Sequence, residues 1–111
     1  MISNYSFKWL LQRITAILLI PLSFWFIFQC VSFQNFKYFE IQLFFQSYIN
    51  SFLFLMLMIA MLIHAKLGCE TIVQDYASSL FFKKILKNLI NFITFFSLFL
   101  VIIAIFKMSI F

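Results

Sequence analysis

The sequence predicts an all-α membrane protein with three transmembrane helices. Composition is the first reason: hydrophobic residues make up 66% of the chain and charged residues only 10%, against roughly 45–50% and about 25% in soluble domains. The second is that a small soluble domain buries only about two-thirds of its chain surface, too little to hide so much apolar material. Disorder is excluded by the opposite signature, since disordered chains are rich in charge and poor in aromatics, whereas this one has 19 phenylalanines. The third is that the few charges bound three long charge-free runs.

The first run covers residues 14–36, between Arg13 and Lys37; the second covers 41–65, between Glu40 and Lys66; the third covers 88–106, between Lys87 and Lys107. At 23, 25 and 19 residues, each is close to what a helix needs to cross about 30 Å of hydrocarbon. A helix is the single-segment solution because unpaired backbone groups are too costly in lipid. Pro21 falls inside the first run, where a membrane helix tolerates it. The second run opens with Gln42, Gln46, Ser47, Asn50 and Ser51, which are unsuited to face lipid. The stretch around Tyr38–Gln46 is therefore expected at the interface, with the span itself nearer 48–70. The chain reads as one membrane-anchor domain, 1–111, with spans of about 14–35, 45–69 and 87–107. Lys66 and Glu70 stand four apart and can neutralise each other on a continuing helix, which leaves a short, polar, partly helical connection over 66–87.

Orientation follows from the distribution of Lys and Arg. Three spans put the N-terminus and the second connection on one side, with Lys8, Arg13, Lys66, Lys83, Lys84 and Lys87; the other side has only Lys37 and Lys107. The expected N-terminus is inside, in cytoplasm or mitochondrial matrix, with no separate cleavable signal because the first apolar run is too long for one. The net charge of +5 does not point to nucleic acid, which needs a basic face; these lysines are scattered around apolar spans. Phe, Ile, Asn, Lys, Tyr and Met total 57 of 111 residues and share A/T-rich codons, so much of the phenylalanine reflects codon bias. Cys30 and Cys69 are expected at opposite ends of their spans, on the order of 25 Å apart and beyond disulfide reach, as small apolar fillers.

The residues able to carry chemistry are few. His64 is the single histidine, at the inner edge of the second span, where an ionisable group is expensive and usually functional. Ala60 and Gly68 stand one turn to either side on the same stripe, flat patches that a planar macrocycle or another helix can approach. Without a preceding Cys-x-x-Cys, covalent haem attachment is excluded and a non-covalent b-type haem is not. Spacing alone leaves two uses of His64 open, haem ligation and an interhelical hydrogen bond with small-residue packing. Asp75 and Tyr76 follow just inside the membrane. The hydroxyl can donate to a neutral carbonyl with the carboxylate in support, or the ring can be an interfacial anchor. Arg13, between Gln12 and Thr15, can clamp a carboxylate or a propionate, or snorkel as a topology flank. Lys83, Lys84 and Lys87 read as positive-inside residues and as contacts for anionic lipid headgroups. Trp9 reads as a belt residue and Trp25 as packing. No span holds a mid-depth carboxylate, which argues against a proton-coupled solute carrier, and no phosphate loop, zinc motif or nucleophile constellation appears. No catalytic residue is assigned, and the chain is expected to have no activity alone.

Two stretches resemble a known family. Trp9-Leu-Leu-Gln-Arg-Ile-Thr-Ala, continuing through Pro21-Leu-Ser-Phe-Trp25, is similar to the first-span pattern W-x-x-Q-R-x-[ST]-A … P-L-x-x-W. His64-Ala-Lys-Leu-Gly68 followed by Asp75-Tyr76 is similar to H-A-x-x-G…D-Y. Both belong to the small membrane-anchor subunit of succinate dehydrogenase, respiratory complex II, a cytochrome b small subunit of the D type. They cover about 30 of the 111 residues.

The resemblance implies that His64 is an axial ligand to the iron of a b-type haem shared with a second membrane-anchor subunit. It implies that Tyr76 donates to ubiquinone with Asp75 in support, and that Arg13 lies near haem propionates or the quinone. Ala60 and Gly68 would pack closely at the haem. The implied partners are the second anchor, an iron–sulfur subunit, a flavoprotein subunit and membrane lipids, including cardiolipin. The expected location is the mitochondrial inner membrane, favoured by the short N-terminus and A/T-type composition, with a bacterial plasma membrane as the alternative. Lys66 and Glu70 match no family role. The rival functions are a purely structural small subunit of a respiratory complex, without haem or quinone contact, and a small-solute transporter subunit.

Overall fold

The computed structural model describes residues 4–33, 35 and 37–110. They form four helices, α1 (Asn4–Ser32), α2 (Tyr38–Gln46), α3 (Tyr48–Tyr76) and α4 (Leu80–Ile110), with no strand among the described residues. The three long helices have 29, 29 and 31 residues, roughly 43–47 Å at 1.5 Å per residue. Each is long and apolar enough to cross a membrane, over Ser6–Ser32, Tyr48–Tyr76 and Leu80–Ile110. The all-α, three-span architecture expected from the sequence is the one observed.

The helices extend past the expected spans. Beyond residue 69, α3 continues to Tyr76, and two contacts along the helix itself accompany the extension. Lys66 Nζ lies 3.7 Å from Glu70 Oε1, and the Thr71 hydroxyl donates back to Leu67 O at 3.0 Å. α4 begins at Leu80 because Ser79 caps it: Phe82 N–H donates to Ser79 Oγ at 3.1 Å and Lys83 N–H to Ser79 O at 3.0 Å, as N-cap serines do. The connection shrinks to residues 77–79. Pro21 sits inside α1 without ending it. The end of the first charge-free run, Gln34 and Phe36, lies outside the described residues.

A single extended residue, Ser47 (φ −75°, ψ 124°), separates α2 from α3. The break frees carbonyls at the end of α2, and serines take one of them. Phe45 O accepts from Ser51 Oγ of α3 and, at 2.8 Å, from Ser109 Oγ of α4. The two hydroxyls stand 3.0 Å apart. Phe44 seats α2 on its apolar side, with ring centroids 5.8 Å from Trp25, 5.6 Å from Phe33 and 5.0 Å from Phe45.

α3 is the central helix. It packs on both α1 and α4, and α2 lies against α3 and α4. α1 and α3 run antiparallel, with Lys8 on Glu70 near one end and Phe26 on Phe54 towards the other. The first end also carries Arg13, Lys66, Lys83, Lys84 and Lys87. Cys30 and Cys69 are free thiols at opposite ends. Thr15, Leu22, Phe44, Leu57, Ala60, Leu67 and Ile105 are buried. Most large apolar side chains instead point outward, as Ile17, Phe24 and Phe28 do on α1 and Phe92, Phe96 and Phe99 on α4. Apolar surface on that scale is what a lipid medium accommodates and water does not.

Candidate functional site

A cleft of about 710 Å³ opens at the Lys-rich end, within the ~300–1,000 Å³ range of small-molecule sites. α1 supplies Lys8, Trp9, Gln12, Arg13 and Ala16, and α3 supplies His64, Leu67, Glu70, Thr71, Gln74 and Asp75. Lys87 is the contribution of α4. The spacings within each set, three, four and seven, are those of one helix face, so two facing stripes make the walls.

Thr15 Oγ1 stands 3.1 Å from His64 Nδ1 and donates to Gln12 O at 3.0 Å. Thr15 is 3% exposed and does not line the cleft, whereas His64 does. The imidazole is thus held at Nδ1 from behind. Among the described residues its Nε2 has no hydrogen-bond partner.

The charged groups differ in what they already touch. Lys8 Nζ is 3.4 Å from Glu70 Oε2, and Lys87 Nζ donates to Gln74 Oε1 at 3.3 Å. The Arg13 guanidinium lies 5.3 Å from the centroid of the Trp9 ring, a cation–π contact. Among the described residues neither Arg13 nor Asp75 has an ion-pair partner. Gln12 Oε1 is buried without a hydrogen-bond partner. The cleft therefore offers an unpaired cation, an unpaired carboxylate and one imidazole.

His64, Arg13, Asp75 and Lys87 come together in this cleft. Tyr76 does not line it; it is 83% exposed at the end of α3. Ala60 is buried, at 4% exposure. Gly68 lies against α1, where an added Cβ would meet Gln12 Nε2 at 3.7 Å, so α1 uses the flat patch at that point. Lys83 and Lys84 lie in the first turns of α4, outside the cleft lining. Trp25 packs on Phe44, while Trp9 underlies Arg13. Residue type alone does not single out Thr15, although it is the only hydroxyl between Arg13 and Ser23, which is the available signal. Among the described residues no three His, Cys, Asp or Glu side chains group as a metal site.

Similarity to known proteins fits this geometry. A family model described as succinate dehydrogenase/fumarate reductase transmembrane subunit matches residues 5–105. The chain belongs to that family. As a member of it, this transmembrane subunit is 37% identical over 73 residues to the succinate dehydrogenase hydrophobic membrane anchor subunit of Rickettsia bellii (strain RML369-C). The match takes in 66% of this chain and 58% of that relative. Residues 5–105 include α2 and α3 whole, most of α1 and α4, and every residue of the cleft.

Proposed function

We propose that this chain is the membrane anchor of a succinate:ubiquinone oxidoreductase, and that its cleft takes part in binding a b-type haem and ubiquinone. The observation that supports the reading most is His64, the sole histidine, fastened through Nδ1 with Nε2 unpartnered, in the same cleft as an unpaired arginine. One imidazole suits a haem that would be shared with a partner anchor subunit. When bound, the haem supplies one-electron redox chemistry; the protein supplies binding, orientation and electrostatics.

Each residue then has a task. His64 would hold the haem iron, and Arg13 would pair with its propionate carboxylates. Tyr76 donates its hydroxyl to a quinone carbonyl, with Asp75 in support. Its exposure suits a ligand held against a neighbouring subunit. Gly68 lets α1 approach α3 one turn from His64, and the buried Ala60 packs on the other side of that turn. Lys83, Lys84 and Lys87 contact anionic headgroups such as cardiolipin. The chain works as a single anchor domain with its Lys-rich end inside, beside the iron–sulfur and flavoprotein subunits. It has no activity alone and serves electron transport between the tricarboxylic acid cycle and the respiratory chain of the mitochondrial inner membrane.

Purification in mild detergent followed by a redox difference spectrum tests this reading. The expected result is co-purification of a flavoprotein, an iron–sulfur protein and a second anchor, with a low-spin b-haem α-band. Those partners without the band would favour a purely structural subunit.

A further inference from the structure

We propose that Thr15 is a positioning residue that fixes the tautomer of His64, protonated at Nδ1 and bare at Nε2. A hydroxyl has one hydrogen to give and two lone pairs to accept with. The Thr15 hydrogen goes to Gln12 O, 3.0 Å away and three residues back on the same helix. Its oxygen is then an acceptor for the ring nitrogen of His64 at 3.1 Å, and that nitrogen must carry the proton. Thr15 is 3% exposed, so water does not compete for the hydroxyl.

The opposite arrangement, with Thr15 donating to Nδ1, satisfies fewer groups. It withdraws the hydrogen from Gln12 O and puts the ring proton on Nε2, which has no acceptor among the described residues. In the first arrangement both hydrogens are used and the remaining lone pair is on Nε2. A neutral imidazole binds a metal through its unprotonated nitrogen, and the hydrogen bond at the other nitrogen selects which one that is. The chain therefore sets the ligating atom before any ligand arrives. The tautomer rests on the geometry alone; its use for iron rests on the proposed haem binding.

The single histidine makes the tautomer directly measurable. In the full chain with ¹⁵N-labelled histidine in lipid nanodiscs, the ring nitrogens give one pair of signals. The wild type is expected to show protonated Nδ1 and unprotonated Nε2. Thr15→Val, of the same shape without the hydroxyl, is expected to move the population towards the Nε2-protonated form, and Thr15→Ser to restore the wild-type pattern. A wild type protonated at Nε2, or a Thr15→Val chain with an unchanged tautomer, would overturn the proposal. In the assembled complex Thr15→Val is expected to raise the haem midpoint potential by making the ligand less basic, with Thr15→Ser returning it. Unchanged potential in Thr15→Val would remove the link to iron and leave the tautomer standing. A wild-type complex without b-type haem would defeat the haem reading, while the nitrogen spectrum would still decide the role of Thr15 independently.

Discussion

Lys8 Nζ and Glu70 Oε2 stand 3.4 Å apart across 62 positions of sequence. The pair ties the first turns of α1 to α3 at the cleft. Lys66 reaches the other carboxylate oxygen at 3.7 Å, so one carboxylate, only 12% exposed, serves two lysines. Ion pairs at the surface whose lysines stay in contact with solvent each contribute ~0–1 kcal/mol, so their main effect is local. Glu70→Gln is expected to change overall stability by less than about 1 kcal/mol while speeding amide exchange in the first turns of α1. Hydrogen exchange with mass spectrometry checks this, and unchanged exchange there would count against the tie.

Phe44 is the seat of α2, 7% exposed and in ring contact with Trp25, Phe33 and Phe45. Phe44→Ala is expected to destabilise by ~3–5 kcal/mol, and Phe44→Leu by clearly less because it keeps most of the volume. Thermal unfolding in detergent would rank the two variants; equal loss would mean that α2 is held by something other than this ring cluster.

The Phe45 carbonyl has two serine donors. Removing one leaves it satisfied, so Ser109→Ala is expected to cost only about 0.5–1.5 kcal/mol. The Ser51→Ala/Ser109→Ala double variant strands a half-buried acceptor and is expected to exceed the sum of the single changes, as neighbours sharing one partner do. A double-mutant cycle by unfolding reads the excess, and strict additivity would show that the two bonds are independent.

For the quinone, Tyr76→Phe removes one oxygen from an 83%-exposed side chain, so the fold is expected to be untouched. Succinate:quinone turnover should fall by roughly tenfold, equivalent to one hydrogen bond of about 1.4 kcal/mol. Succinate oxidation by an artificial acceptor should be spared. Loss of both activities together would place Tyr76 outside the quinone site.

Topology can be read chemically. With both native cysteines replaced, Ser78→Cys puts a thiol in the exposed turn between α3 and α4. A membrane-impermeant maleimide is expected to label it only from the inner side, as the cation distribution requires. Labelling from the outer side would invert the orientation.

The long helices are legible in the sequence because charges mark the ends of apolar runs, and the break before α3 is legible because polar residues gather at 42–51. Arg13, His64 and Asp75 stand out one by one by residue type and meet in the same cleft. Tyr76 pairs with Asp75 by adjacency, yet neighbours on a helix point about 100° apart, and only the carboxylate lines the cleft. The Lys8–Glu70 and Thr15–His64 contacts are not legible, since both join residues far apart in sequence whose types have ordinary local uses.

The extended residue at Ser47 has a consequence for depth. From Thr15 to the end of α1 at Ser32 the chain climbs 17 residues, and from the start of α3 at Tyr48 to His64 it descends 16. At 1.5 Å per residue these are about 26 and 24 Å, two nearly equal arms. The helices act as two matched rulers. An insertion of one residue between 15 and 32, or between 48 and 64, would shift one scale by about 1.5 Å and turn it by about 100°, moving the hydroxyl off the ring. Single-residue length in those stretches, rather than side-chain identity, is what keeps threonine and histidine level.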